Sequence, residues 1–377
     1  MTAAASPLVK TYATFPFTVA SGRGMYVYDT EGREYLDLYG GHAVALLGHS
    51  PPEVARAVAE QAERLLFYSN LAPLEVRERA AARLLAFAGG HLGGVFFCNS
   101  GAEANENALK LAIQQTGRSK VVALKGAFHG RTALAAAVTD NDEWHKAMPG
   151  WVGHVARIPV NAEDGLDAID GQTAAVIAEP IQSMAGVVVL EDSFLAALRR
   201  RADQTGAMLI FDEIQTGMGR TGTPLVAGFG GVTPDMVTLA KGLAGGVPMG
   251  AVLMVDRVAS RVATGDLGST FGGGPPACAA LEATIGVLER DSLAGNAQRI
   301  EPAARGLASV DGVEEVRGKG ALLGLRTALP AKRVCQALLG RCIITGTSLD
   351  PHVLRLLPPL IVREEHVATL RAALEAE

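Results

Sequence analysis

The sequence predicts an α/β protein: a large domain built on a mainly parallel sheet covered by helices, with a smaller α+β domain formed by the two chain ends. Two observations carry this reading. Five short, continuously apolar runs, KVVAL (120–124), AAVIAEP (174–180), MLIFDEI (208–214), DMVTLAK (235–241) and GAVLMV (250–255), alternate with helical patterns. Continuous rather than alternating apolarity marks strands buried on both faces, as in a parallel sheet. The ends of the chain read differently, as a hairpin and a closing helix.

In chain order, MYVYDTEGREYLDL (25–38) reads as a hairpin turning at Glu31-Gly32. Ser50-Pro51-Pro52-Glu53 is expected to open a helix with a capping box, followed by Val54, Val58, Leu65 and Leu66 on one face. VFFCNSGAEANENALK (95–110) reads as a strand, a small Gly turn and a helix start. SFLAALRRRADQTG places Phe194, Leu195, Leu198 and Ala202 on one helical face and ends at Gly206. The final helix puts Val367, Leu370 and Leu374 together. No repeat or linker interrupts the chain. The boundaries fall near residues 45 and 280, so that 1–45 and 281–377 pack as the small domain around 46–280.

Composition bounds the function. The 377 residues are 49% hydrophobic and only 19% charged, enough for a large core whose leftover apolar surface a partner subunit can cover. A net charge of −5 supplies no basic stripe for nucleic acid. Four cysteines without C-x-x-C spacing read as reduced thiols. The N-terminus lacks a secretory pattern and no apolar run reaches a membrane span, so the expectation is a soluble, cytoplasmic protein.

The polar residues gather where the strands end. Strand 95–98 runs into Asn99-Ser100, strand 174–178 into Glu179, strand 208–211 into Asp212 and Glu213, and strand 235–240 into Lys241. In an open parallel sheet the ligand crevice lies beyond the carboxyl ends of the strands, so these groups should converge. Each has a bland alternative. Ser100-Gly101-Ala102-Glu103 is a capping box, and taken alone it needs no ligand. The same free N–H groups can instead hold a phosphate, with Gly101 allowing close approach. Asp212 could be a strand-end cap, but the apolar residues before it predict burial and hence a cationic partner. Lys241 could be a surface residue, yet in an apolar crevice its pKa falls and its amine becomes a nucleophile toward carbonyls. A phosphate cradle, a carboxylate awaiting a cation and an imine-forming amine together fit pyridoxal 5′-phosphate.

One competing motif fails on context. Gly217-Met218-Gly219-Arg220-Thr221-Gly222 matches the dinucleotide fingerprint of a nicotinamide-dependent dehydrogenase, but the Gly- and Pro-rich stretch after it is not the required helix. The histidines show no metal-ligand spacing, and no metal is expected.

These residues carry a resemblance over nearly the whole chain. GREYLDLYGG, FFCNSGAEANENALKLA, GAFHGRT, AEPIQ, LIFDEIQTGMGRTG, TLAKGL, GSTFGGGPPACAA and LRLLPPLIV resemble the ornithine-type, class III aminotransferases of pyridoxal-phosphate fold type I. The resemblance implies that Lys241 binds the cofactor aldehyde and shuttles the proton, and that Asp212 keeps the ring nitrogen protonated. It implies that Phe128 and Ile214 flank the ring, that Gln215 bonds its phenolic oxygen, and that Ser100, Gly101 and Ala102 hold the phosphate. Glu179 joins the cofactor site, and Thr270 completes the cradle from the neighbouring subunit of a homodimer. Arg355 and Arg131, with Ser269, become the substrate residues, since a guanidinium grips a carboxylate in bidentate fashion.

The implied reaction moves an amino group from a terminal amine, N-acetylornithine foremost, to 2-oxoglutarate. Succinylornithine, 4-aminobutyrate or carrier-bound lysine transamination and semialdehyde mutation are the alternatives within the family. Three positions depart from the family pattern: Met184 stands where many relatives carry a glutamate that pairs with the α-carboxylate arginine, Pro51-Pro52 replace a His-Pro pair, and His42 stands where an apolar residue is common.

Overall fold

The computed structural model describes residues 7–226 and 231–376. Its strands are β1 (Val19–Arg23), β2 (Tyr26–Asp29), β3 (Glu34–Asp37), β4 (Gly94–Cys98), β5 (Lys120–Leu124), β6 (Val155–Ile158), β7 (Thr173–Ala178), β8 (Ile181–Gln182), β9 (Val188–Val189), β10 (Met208–Asp212), β11 (Met236–Leu239), β12 (Gly250–Met254), β13 (Val313–Lys319), β14 (Leu322–Thr327), β15 (Ile343–Ile344), β16 (Gly346–Thr347) and β17 (Val353–Leu356). Seven of them form the central sheet in the order β4-β12-β11-β10-β7-β5-β6. Only β12 runs against its neighbours, β11 and β4. The remaining pairs, β11 with β10, β10 with β7, β7 with β5 and β5 with β6, are parallel.

The apolar runs explain this sheet. Every residue of β7, β10, β11 and β12 is buried, because helices cover both faces. Leu109, Leu111 and Ala112 of the Gly101–Thr116 helix lie against one face with Ile177 and Ile210, while Phe194, Leu195 and Leu198 of the Asp192–Thr205 helix lie against the other with Val176, Leu209 and Phe211. Helix Asp192–Thr205 ends at Gly206, whose φ of 72° supplies the left-handed cap.

The chain ends meet in space. β3 pairs with β15 in the sheet β1-β2-β3-β15, so an N-terminal hairpin is completed by a C-terminal strand. The hairpin turns at Gly32, with Asp29 Oδ1 accepting the N–H groups of Glu31 and Arg33. A second sheet, β13-β14-β17-β16, carries Arg355 on β17. The closing helix Glu364–Glu375 buries Leu370 and Leu374 beside Leu307 and Leu325, with Val367 packed at the margin.

Two local expectations fail. Ser50 makes no cap: it is left-handed at φ 50°, and the helix Pro52–Arg64 starts from Pro51 with a proline at its first position, where no N–H needs a partner. Glu53 pairs instead with Arg290. The helix also stops at Arg64, so Leu65 is extended and Leu66 is exposed rather than continuing the apolar face. Residues Gly217–Gly222 run as successive turns, and no helix follows them among the described residues. Arg220 within them is buried and donates to the carbonyls of Ala321 and Pro358, a bracing role. Among the described residues no helix is long and apolar enough to cross a membrane, and no cluster of metal-ligating side chains occurs.

Phe211 is fully buried in β10, immediately before its last residue Asp212. Phe211→Ala should therefore lower the unfolding free energy by about 3–5 kcal/mol, read from urea denaturation.

Candidate active site

Because β4, β7, β10 and β11 are aligned, their carboxyl ends open on one edge of the sheet. A cavity of about 610 Å³ lies there, lined by Asn99, Ser100, Gly101, Ala102, Phe128, Glu179, Asp212, Ile214, Gln215, Lys241, Arg131 and Arg355 among others. Four separate strand ends thus deliver groups distant in sequence to one place.

The phosphate-cradle candidate is well formed. Ser100 caps the Gly101–Thr116 helix by accepting the N–H of Glu103 at 3.2 Å. Glu103 returns its carboxylate to the Asn99 N–H rather than to that of Ser100, so the reciprocal bond reaches one residue further back. A Cβ at Gly101 would stand 2.7 Å from Ile214 Cδ1, so only glycine leaves that approach open. The first N–H groups of the helix therefore face the cavity edge with the positive end of the dipole behind them.

Asp212 is 4% exposed. Its Oδ2 accepts from Asn105 Nδ2 and lies 2.7 Å from His129 Nδ1, which must carry the proton there because a carboxylate only accepts. Oδ1 accepts from the Ile214 N–H at 3.1 Å. Asn105 is itself fixed, donating to the His129 carbonyl and accepting from Thr238 Oγ1, both at 2.7 Å. Asn105, His129 and Thr238 form a shell that motif reading passed over. Its signal was spacing: Asn105 sits one helical turn beyond Gly101, and His129 follows Phe128 in GAFHG.

Lys241 is partly buried in the cavity wall and adopts a left-handed φ of 50° as the chain leaves β11. Burial lowers its pKa, opposed by the charges of Asp212 and Glu179, so more of its amine is unprotonated than in water. Glu179 is pushed up to about 7, chiefly by burial, while the Phe128 N–H donates to its Oε1 at 2.8 Å. Gln215 lines the same cavity, and its Oε1 is buried without a hydrogen-bond partner.

The two arginines are held by neutral groups. Arg355 donates to the Thr347 carbonyl (2.7 Å), Ser183 Oγ (3.2 Å) and Tyr39 Oη (2.5 Å), and lies over the Tyr39 ring. Tyr39 can reach it because Gly346 has no side chain; a Cβ there would fall 2.0 Å from the ring. Burial lowers the Arg355 pKa, a sign that the cation lacks full solvation. Arg131 lies between the rings of Tyr12 and Trp144, each centroid 5.2 Å from its Cζ, and donates to Tyr12 Oη. No carboxylate pairs with either arginine among the described residues.

Ser269 and Thr270 do not line the cavity of their own chain. They border a separate hollow with Ser69, Asn70, Leu71 and Phe96, and Ser269 Oγ accepts from Asn99 Nδ2 at 3.1 Å. Met184 does line the cavity and brings no charge to it.

The family model for class III aminotransferases matches residues 9–376. The chain belongs to the class III aminotransferases. Among this family, acetylornithine aminotransferase of Methanopyrus kandleri is 43% identical over 370 residues, covering 97% of this chain and 95% of the relative. Acetylornithine aminotransferase of Mycobacterium tuberculosis is 43% identical over 376 residues, covering 98% and 93%. Among solved structures, ornithine aminotransferase from Toxoplasma gondii superposes with a TM-score of 0.91 at 30% identity, covering 98% of this chain and 92% of that one. An amine transaminase from an uncultivated Pseudomonas species, in a PLP-bound form, gives 0.90 at 27% identity, covering 98% and 97%. The predicted fold class is therefore that of the class III aminotransferases, and the dehydrogenase alternative is set aside.

Removing Asn105 should take one hydrogen-bond partner from each of Asp212, the His129 carbonyl and Thr238. Asn105→Ala is expected to destabilise the protein by about 1–3 kcal/mol, the range for leaving buried polar groups unsatisfied, as measured by urea unfolding of the cofactor-free chain.

Proposed function

We propose that this aminotransferase uses pyridoxal 5′-phosphate to move an amino group from the terminal amine of N-acetylornithine to 2-oxoglutarate, in two half-reactions. The observation that supports it most is the joint placement of Lys241, Asp212 and the Ser100-capped helix start around one cavity whose arginines have no anionic partner. Relatives 43% identical over nearly the whole chain are named for acetylornithine.

The residues present fit the cofactor. A phosphate suits the N–H groups of Gly101 and Ala102 with Ser100 beside them, and the clearance at Gly101 allows it to sit close. A protonated ring nitrogen suits Asp212, whose carboxylate is fixed by Asn105 and His129. Phe128 and Ile214 offer apolar surfaces to the ring faces, the unpaired Oε1 of Gln215 could accept from the phenolic O–H, and Glu179 stands beside Phe128. When bound, pyridoxal 5′-phosphate supplies a carbonyl for the amine and a ring that accepts the electrons of the adjacent carbanion.

The protein's own contribution follows from its side chains. Lys241 Nζ is the amine that would hold the cofactor's carbonyl and, once released, would serve as the base that moves the proton of the carbon bearing the donor amine. The Asp212 carboxylate, fixed by Asn105 and His129, would accept the ring N–H, which favours electron withdrawal. Arg355 binds the α-carboxylate of the 2-oxo acid, and Arg131 its distal carboxylate or the carboxylate of the acylated donor; both are already oriented by neutral hydrogen bonds. We place Ser269 among the substrate residues through Asn99, which lines the cavity and whose Nδ2 donates to Ser269 Oγ.

We place Thr270 in the cofactor cradle of the neighbouring subunit of a homodimer. The exposed Leu66, Phe67, Tyr68, Leu71 and Phe271 beside that segment, with Phe67 and Phe271 rings 5.2 Å apart, support a partner surface there. Residues 1–45 and 281–377 are assigned to the small domain and 46–280 to the large one, and the enzyme is assigned to the cytoplasm.

Lys241→Ala should lose covalent retention of the cofactor and slow transamination by about 10²–10⁴-fold, measured as product formation with acetylornithine and 2-oxoglutarate. Arg355→Lys should raise the KM for 2-oxoglutarate about tenfold or more with a smaller effect on kcat, because the bidentate fork is lost. A half-reaction series with acetylornithine, succinylornithine, ornithine, 4-aminobutyrate and acetyl-lysine tests the donor directly. Acetylornithine should convert the cofactor fastest; faster conversion by another amine reassigns the substrate.

A further inference from the structure

The segment Gly40–Ala43 makes a left-handed turn, with φ of 56°, 54°, 66° and 66° for Gly40, Gly41, His42 and Ala43. For His42 and Ala43 this backbone is disfavoured, so the surroundings must impose it. Asp37 does so: its Oδ1 accepts the N–H groups of Tyr39 and Gly40 at 2.8 Å each, and its Oδ2 is tied to His49. The turn brings the His42 imidazole into the cavity that also holds Lys241, Arg131 and Arg355. The ring leans on Tyr39 at 4.8 Å between centroids, and the Tyr39 hydroxyl is the one that accepts from Arg355. Among the described residues neither imidazole nitrogen has a hydrogen-bond partner.

Resting on the amino-acceptor reading above, we propose that His42 is a specificity-determining residue that takes up a proton when a dicarboxylate occupies Arg131 and Arg355. Partial burial at the cavity is the largest cause lowering the His42 pKa in the unliganded site; Arg355, Lys241 and Arg131 add to it by opposing a positive imidazole, and Asp37 favours one. A dicarboxylate brings two negative charges to the same arginines, cancelling the repulsion and offering an acceptor to an N–H of the ring. The His42 pKa is then higher in the complex than in the free site. Affinity for the dicarboxylate consequently rises as pH falls through the pKa of the complex, and levels off below that of the free site. An amine donor carrying a single carboxylate cancels less of the repulsion and gains less from acid. Met184 matters here, because no cavity side chain at that position compensates Arg355 before the substrate arrives.

Glutarate, which binds both arginines but cannot react, provides the probe. Calorimetric titration of the holoenzyme near pH 7 in two buffers of different ionisation enthalpy should show net proton uptake. The dissociation constant should fall several-fold between pH 8.5 and pH 6, approaching the about tenfold limit of a one-unit rise in one pKa only below the pKa of the free site. His42→Asn and His42→Gly both suit a left-handed φ, so both should fold, and both should abolish the uptake and the pH dependence. Glutarate binding without proton uptake, uptake that persists in both variants, or no glutarate binding at all would overturn the role of His42. Failure of the acceptor reading is scored separately, as a holoenzyme that transfers no amino group to 2-oxoglutarate.

Discussion

Asp212 closes a strand whose residues are all buried, and its carboxylate can face only the cavity. That constraint organises the site. A carboxylate in such a place is costly unless it is hydrogen-bonded, and the chain answers with Asn105, His129 and the Ile214 N–H. Asn105 in turn fixes the helix whose first turn faces the cavity, and Thr238 fixes Asn105 from the neighbouring strand β11. The helix start, the carboxylate and the strand that leads to Lys241 are therefore held as one unit. Because the strands are parallel, no loop has to travel to bring these groups together.

The other half of the cavity joins Arg355 of β17 and Tyr12 of the N-terminal segment to Arg131, which follows β5, and it obeys a different rule. Arg355 and Arg131 are positioned by hydroxyls, carbonyls and aromatic faces, which orient a guanidinium without neutralising it. Arg355, buried and held this way, remains in need of an anion, which is what a carboxylate substrate supplies. The absence of a side-chain charge at Met184 makes this half more cationic before substrate binds, and it gives the left-handed turn at His42 its consequence.

The large sheet was legible in the sequence because continuous apolar runs have few other solutions: a strand buried on both faces must sit inside a sheet covered on both sides. The convergence of Ser100, Asp212 and Lys241 followed from that topology. What sequence reading passed over depends on side chains that look ordinary out of context. Asn105 in ANEN and His129 in GAFHG give no local hint of burial, and Tyr39 gains its role only through the missing side chain at Gly346. The expected cap at Ser50 failed because two prolines fix the helix entry by backbone geometry instead. Leu65 and Leu66 fit the helical period, but the chain turns away after Arg64 and leaves Leu66 exposed.

The central claim is that one lysine, at the end of β11, carries the reacting carbonyl. Borohydride reduction of the holoenzyme followed by peptide mass mapping tests it directly. The account predicts a single pyridoxyl adduct on Lys241; an adduct on another lysine, or no lysine adduct in protein that retains the cofactor, would contradict it.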